Sequence, residues 1–242
     1  MPRQVALYFH ALDPPDRPAF AELVRHFQRA GYRVAAGPDD FLDPSHERVL
    51  WLSFDDNFQS WHTARALFDA LDVRCTFYVN TGVFRDVAPP QVRLRFFQRI
   101  KHEGENGTLT TDEAIALRTD GHVVGAHTHT HPVLSRVSPR RARAEILQSK
   151  LELEALLKEP VEHFAYPFGL RRYFDDALIG YCQSIGLRTV ARAIPALLHT
   201  EQGPTVLHRH PWRFNRSFDD NLLDLEIDGR VFERLTGRSA VG

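Results

Sequence analysis

The chain has 242 residues, 43% hydrophobic and 25% charged, a composition that folds around its own core as one large domain or two small ones. Thirty Lys+Arg against 31 Asp+Glu leave a formal net charge of -1, which argues against a grip on nucleic-acid phosphates or on an anionic membrane surface. Two cysteines cannot build a disulfide framework or a thiolate zinc site, whereas 13 histidines supply an excess of the commonest metal ligand. No stretch reaches the roughly 20 apolar residues of a membrane helix. The run Val5–Phe9 is too short for a signal peptide, so the expected compartment is the cytoplasm.

Val5–Phe9 reads as a buried strand, followed by the turn Asp13-Pro-Pro-Asp16. Phe20, Leu23, Val24, Phe27 and Ala30 fall at helical spacing, with Gly31 as the stop. Arg33–Ala36 and Val49–Phe54 are the next strands, Trp61–Leu71 a helix and Cys75–Val79 a strand. Residues 82–110 interrupt the rhythm and read as a surface helix with a loop at Gly104–Gly107. Helices follow at Thr111–Arg118, Pro139–Lys158 (capped by Ser138) and Tyr173–Ile185, and strands at Val123–Ala126, Glu162–Ala165, Arg188–Ala191 and Thr205–His208. Asp219–Leu235 predicts a terminal helix, within a helical extension over 211–242 of a single domain covering 1–242. Strand–helix alternation with near-continuous apolar strands predicts an α/β fold with a parallel sheet, closed or partly closed into a barrel. In such barrels the chemistry sits where the strands end.

Asp55-Asp56 ends the strand Val49–Phe54. Two adjacent carboxylates at a buried strand's end repel, and a metal on one with the other as base satisfies both. His127-Thr-His-Thr-His131-Pro132 ends another strand. Extended, it would place His127, His129 and His131 on one face; as a helical turn, only His127 and His131. Either way two imidazoles and an aspartate can hold one divalent ion, zinc by preference, with nickel, cobalt or iron compatible. Ser217-Phe-Asp-Asp-Asn221 repeats Ser53–Asn57 letter for letter, but it precedes a helical run and reads as a helix cap.

Ser53-Phe-Asp-Asp56, His127–Pro132 and Phe164-Ala-Tyr-Pro-Phe-Gly169 occur in that order. Together they resemble three boxes of the polysaccharide deacetylase family, also called NodB-homology domains or carbohydrate esterase family 4, in the branch with a Phe-Ala-Tyr-Pro box. The similarity runs roughly from Val5 to Arg209. It implies a distorted (β/α)7 barrel, a metal triad of Asp56, His127 and His131, and Asp55 as the base that activates water. It also implies the Phe168 backbone N–H as oxyanion donor, with Tyr166 and Arg209 on the substrate side. His10 is the best match to the general acid, with His208 and His210 as alternatives. Four positions depart from the usual pattern: Ser53 for Thr, Asn57 for Gly, Phe168 for Tyr, and Ala165, common in this branch, where many members carry an arginine that orients the base. The family's downstream Asp/Trp box has no counterpart.

The expected activity is therefore metal-dependent removal of an N-acetyl or N-formyl group from an N-acylated sugar, in a polysaccharide or a glycan precursor. The substrate is either a polymeric N-acetylglucosamine-type chain or a lipid- or nucleotide-linked sugar. Competing readings are an inactive carbohydrate-binding relative and a deacylase of a small non-sugar amide. Neither nucleic acid nor a membrane span enters the expectation.

Overall fold

Short apolar strands between amphipathic helices bury both faces of a sheet only when the strands run parallel. The computed structural model, which describes residues 3–43, 45, 48–102, 107–194 and 205–236, shows that arrangement. Its elements are β1 (Gln4–Phe9), α1 (Arg17–Arg29), β2 (Arg33–Val34), α2 (Pro38–Phe41), β3 (Val49–Asp56), α3 (Gln59–Thr63), α4 (Arg65–Ala70), β4 (Thr76–Val79) and α5 (Pro90–Ile100). They continue with α6 (Thr111–Thr119), β5 (Val123–Ala126), α7 (Pro139–Leu157), β6 (His163–Ala165), α8 (Asp176–Ser184), β7 (Thr189–Arg192), β8 (Thr205–His208), β9 (His210–Pro211) and α9 (Phe218–Thr236).

The sheet order is β8-β7-β6-β5-β4-β3-β1-β9. β2 pairs the first residues of β3, whose last four pair β4. β8 pairs β7 at one edge and β9 pairs β1 at the other, both in parallel, with Arg209 alone between them. The chain therefore crosses from one sheet edge to the other at Arg209 and brings the sheet to a nearly closed barrel, as the sequence predicts.

Strand alternation sorts the side chains. Val5, Leu7 and Phe9 of β1 and Leu50, Leu52 and Phe54 of β3 join the outer layer with Phe20, Leu23, Val24 and Phe27 of α1. Each large side chain removed from water there contributes roughly 1.5–3 kcal/mol. Truncating Phe54, which contacts the rings of Phe9, Phe68 and Phe77, would cost about 3–5 kcal/mol. Ala6, Trp51, Tyr78, Ala165, Ala191 and Leu207 instead fill the barrel interior. Further steps of two residues along β1, β3 and just past β1 bring Tyr8, Asp55 and His10 to the open end.

Local chemistry explains where the elements depart from the sequence reading. The helix expected over Trp61–Leu71 breaks at Ala64, between α3 and α4. There the Thr63 hydroxyl bonds back to the Ser60 carbonyl at 3.1 Å, a contact that bends helices. β2 stops at Val34, and soon after it the Ala36 N–H is taken by the Asp40 carboxylate at 2.7 Å. β9 is two residues long and carries a proline, too short for any periodicity to reveal. Residues 82–110 do supply a helix, α5, while 104–106 of the expected loop lie outside the described residues. The repeated Ser217–Asn221 begins α9: the Ser217 hydroxyl accepts the Asp220 N–H at 3.1 Å and Asn221 bonds Arg213. Among the described residues no helix is long and apolar enough to cross a membrane.

Candidate metal and catalytic site

A cavity of about 220 Å³ opens at the C-terminal ends of the strands, lined by Tyr8, His10, Asp55, Asp56, Ile100, His127, His131, Phe168, Gly169 and Ala193. Consecutive strand residues normally face opposite ways, yet Asp55 and Asp56 both reach this cavity. The reason is local: Asp56 has φ 87, a left-handed backbone that turns its side chain back inward. Thr128, His131 and Phe168 are also left-handed, with φ 68, 57 and 64. Such non-glycine conformations cost roughly 1–3 kcal/mol each and persist only where the surroundings enforce them.

Asp56 Oδ1 lies 3.0 Å from His131 Nε2 and 3.4 Å from His127 Nε2. One donor atom from each residue falls within 4.8 Å of the others, and all three side chains are buried. Ligand atoms bound tetrahedrally at ~2.0–2.2 Å stand roughly 3.3 Å apart, so the donor set and spacing fit one divalent ion. Burial opposes the charge on Asp56, but His131 and His127 hold its carboxyl well below the usual carboxylate range. Burial holds the His131 imidazole below its ordinary value, favouring the neutral form that ligates metals. The His127 Nδ1–H donates to the Ala165 carbonyl at 2.7 Å, leaving Nε2 as the free ligand atom.

The loop 127–131 follows neither of the two geometries the sequence left open. Left-handed Thr128 and His131 make a turn in which His127 and His131 converge. His129 points elsewhere, its Nδ1 lying 3.0 Å from Thr81 Oγ1 and 2.9 Å from Glu152 Oε2. Asn80, at the end of β4, ties the two ligand-bearing segments together. Its backbone N–H donates to the Asp56 carbonyl at 3.0 Å, and its amide donates to the carbonyls of His127 and Thr128. Asn57 supports it by donating to the Asn80 carbonyl at 3.0 Å and accepting the Leu109 N–H at 2.7 Å. Gly82 lets its own turn close on the loop: a Cβ there would stand 2.7 Å from the His129 carbonyl oxygen.

Asp55 is held differently. Arg209 Nη1 and Nη2 meet its two oxygens at 2.7 and 2.8 Å, and Nη1 also donates to Ser53 Oγ at 3.0 Å. The guanidinium has no exposed surface and lies over the rings of Tyr8, Tyr78 and Trp51, 5.0, 5.2 and 5.9 Å from their centroids. Burial works against its charge, and the Asp55 carboxylate more than restores it. The fork that Ala165 cannot provide thus comes from the junction between β8 and β9. The sequence placed Arg209 on the substrate side; its fork faces Asp55 and is sealed from solvent.

Tyr166 is likewise turned inward. Its hydroxyl donates to the Gly169 carbonyl at 2.8 Å and its ring stacks on Phe174 at 4.3 Å. Burial pushes its phenol up to about 12. Tyr166 shapes the turn that carries Phe168, whose exposed ring stands edge-on to His131 at 4.8 Å. That turn needs Gly169: at φ 59, a Cβ would fall 2.1 Å from Ala193 Cβ. His10 stands exposed at the rim, its carbonyl accepting the Trp61 indole N–H at 2.7 Å. Among the described residues lining the cavity neither His208 nor His210 occurs. Asn80 and the partnership of Arg209 with Asp55 are absent from the sequence reading, because neither has a local pattern.

Comparison with known proteins agrees with this fold. A family model described as polysaccharide deacetylase matches residues 43–190, more than half of the chain. No curated protein gives a significant sequence match. Among solved structures, the Streptococcus pyogenes deacetylase PplD in complex with acetate is 20% identical at a TM-score of 0.70, over 93% of this chain and 99% of that one. IcaB from Ammonifex degensii is 17% identical at a TM-score of 0.71, over 94% and 97%. A de-N-acetylase from Aggregatibacter actinomycetemcomitans is 12% identical at a TM-score of 0.68, over 92% and 99%. These likenesses concern the fold, and the family model reaches across both the Asp pair and the histidine loop. The chain belongs to the polysaccharide deacetylase family.

Proposed function

We propose that the chain is a metal-dependent hydrolase that removes an N-acetyl or N-formyl group from an N-acylated sugar of a polysaccharide or glycan precursor. One observation carries the reading: the Asp56/His127/His131 triad and an Asp55 locked by Arg209 face the same cavity. Family membership supports the sugar. The cavity of about 220 Å³ exceeds an acyl group but is below the ~300–1,000 Å³ of pockets that enclose a whole ligand, so part of the substrate would lie across the mouth.

Asp56 Oδ1, His127 Nε2 and His131 Nε2 would hold the ion, with zinc as the natural occupant and nickel, cobalt or iron compatible. Once bound, it supplies Lewis-acid polarisation of the acyl carbonyl and lowers the pKa of the attacking water. Asp55 takes the proton from that water. Arg209 occupies one lone pair on each Asp55 oxygen and leaves the others to act. The Phe168 N–H, presented by its left-handed turn, is assigned to the developing oxyanion. His10 at the rim delivers a proton to the departing amine, a task suited to imidazole near neutral pH.

The test is acetate and formate release from a panel of N-acyl sugars, polymeric and lipid- or nucleotide-linked, by wild type and Asp55→Asn. Release by the wild type, reduced about 10²–10⁴-fold in the variant, is expected. Equal release by the two proteins would remove Asp55 from the reaction, and none from the whole panel would remove the sugar.

A further inference from the structure

His127 and His131 offer the same atom to the same point but are steadied in different ways. A metal-binding histidine usually donates its second ring nitrogen to a fixed acceptor. His127 does so, to the Ala165 carbonyl. His131 does not: its buried Nδ1 finds no partner among the described residues. Its ring stands edge-on to Phe96 and Phe168, at centroid distances of 5.9 and 4.8 Å, and tilted against the His127 ring at 5.2 Å, contacts that offer Nδ1 no acceptor. The position of its Nε2 therefore depends on the backbone beneath it, which is left-handed at φ 57.

That backbone is gripped from α7. Glu145 is 3% exposed, on a buried helix face shared with Ala142, Ile146, Ser149, Lys150 and Leu153. A buried carboxylate is costly unless its lone pairs are satisfied, and here they are spent on the residue before His131. Glu145 Oε2 accepts the Thr130 N–H at 2.7 Å and Oε1 accepts the Thr130 hydroxyl at 2.7 Å. Arg141, one turn earlier, donates to Oε1 at 3.0 and 2.7 Å and balances the charge. Arg99 of α5 donates to the Thr130 carbonyl from the other direction.

We propose that Glu145 is a positioning residue for the metal centre: by fixing Thr130 it sets the left-handed backbone of His131 and hence the direction of Nε2. This rests on the metal reading given above. Nothing in the alternation of α7 marks Glu145 in the sequence, where it is one acidic residue in a charged helix.

The experiment is competition titration of zinc, with Co²⁺ absorption as a second readout, on wild type, Glu145→Met, Glu145→Gln, Glu152→Gln and His131→Ala. Thermal unfolding of the metal-free proteins accompanies each. Met keeps the volume and offers no acceptor oxygen, so affinity should fall roughly 10–100-fold with an altered cobalt spectrum. Gln can still bond Thr130 through its oxygen and its amide and should stay within about threefold of wild type. Glu152→Gln, whose hydrogen-bond partners are the side chains of His129 and Gln148, should bind like wild type. If the Met variant does not fold, Thr130→Val removes the hydroxyl bond from the loop side and should weaken zinc by about three- to tenfold. Wild-type affinity in Glu145→Met, or in Thr130→Val where that variant carries the test, alongside loss in His131→Ala overturns the role of Glu145 alone. No zinc or cobalt binding by the wild type overturns the metal reading, and this assignment with it.

Discussion

Asp55 and His131 serve one cavity from opposite kinds of scaffold. Asp55 sits in a strand paired on both sides, Asp55 with Tyr78 and its neighbour Phe54 with Phe9, and is locked by a two-pronged buried ion pair with Arg209. His131 sits in a left-handed turn outside any strand and is held through Thr130, Asn80 and helices α5 and α7. The strand half is rigid because sheet register defines it; the loop half is rigid only as far as its clamps are intact. Placement thus rests on the sheet for Asp55, the proposed base, and on side-chain clamps for His127 and His131, the two proposed ligands that converge.

Breaking the strand half should have the larger effect. Arg209→Met leaves the Asp55 carboxylate buried without its partner, and loss of one member of such a pair costs about 3–5 kcal/mol. Denaturant unfolding should show that loss, and acyl release should fall with it. Unchanged stability would mean that Asp55 is satisfied by some other group. Breaking the loop half at Asn80 should be milder. Asn80→Ala removes the amide bonds to the His127 and Thr128 carbonyls but keeps the backbone bond to Asp56. About 1–3 kcal/mol of stability should be lost, with zinc affinity reduced and Asp55 undisturbed. A variant that lost stability without any change in zinc affinity would separate Asn80 from the metal centre.

The same division governs what the sequence disclosed. The strands that lead to Tyr8, His10 and Asp55 follow from apolar runs, and their inward set follows from a period of two, whereas Asp56 turns inward only through its left-handed backbone. Thus the barrel, the Asp pair and the histidine cluster were legible. The choice of His127 and His131 over His129 follows from two left-handed residues that no spacing encodes. Arg209 pairs with a residue more than 150 positions away, and the two-residue β9 that places it is below the length at which alternation means anything. Asn80 and Glu145 act through backbone carbonyls and a threonine, partners every sequence offers everywhere. Tyr166 lies in a recognisable box, but only the fold shows its hydroxyl spent on Gly169.

The central claim is that Asp56, His127 and His131 hold one divalent ion beside an Asp55 that does not bind it. Metal content after zinc loading and desalting tests this most directly, on wild type, Asp55→Asn and His127→Ala. One zinc per chain in wild type and in Asp55→Asn, with His127→Ala nearly empty, is the expected result. Zinc retained fully in His127→Ala, or lost in Asp55→Asn, would contradict the assignment.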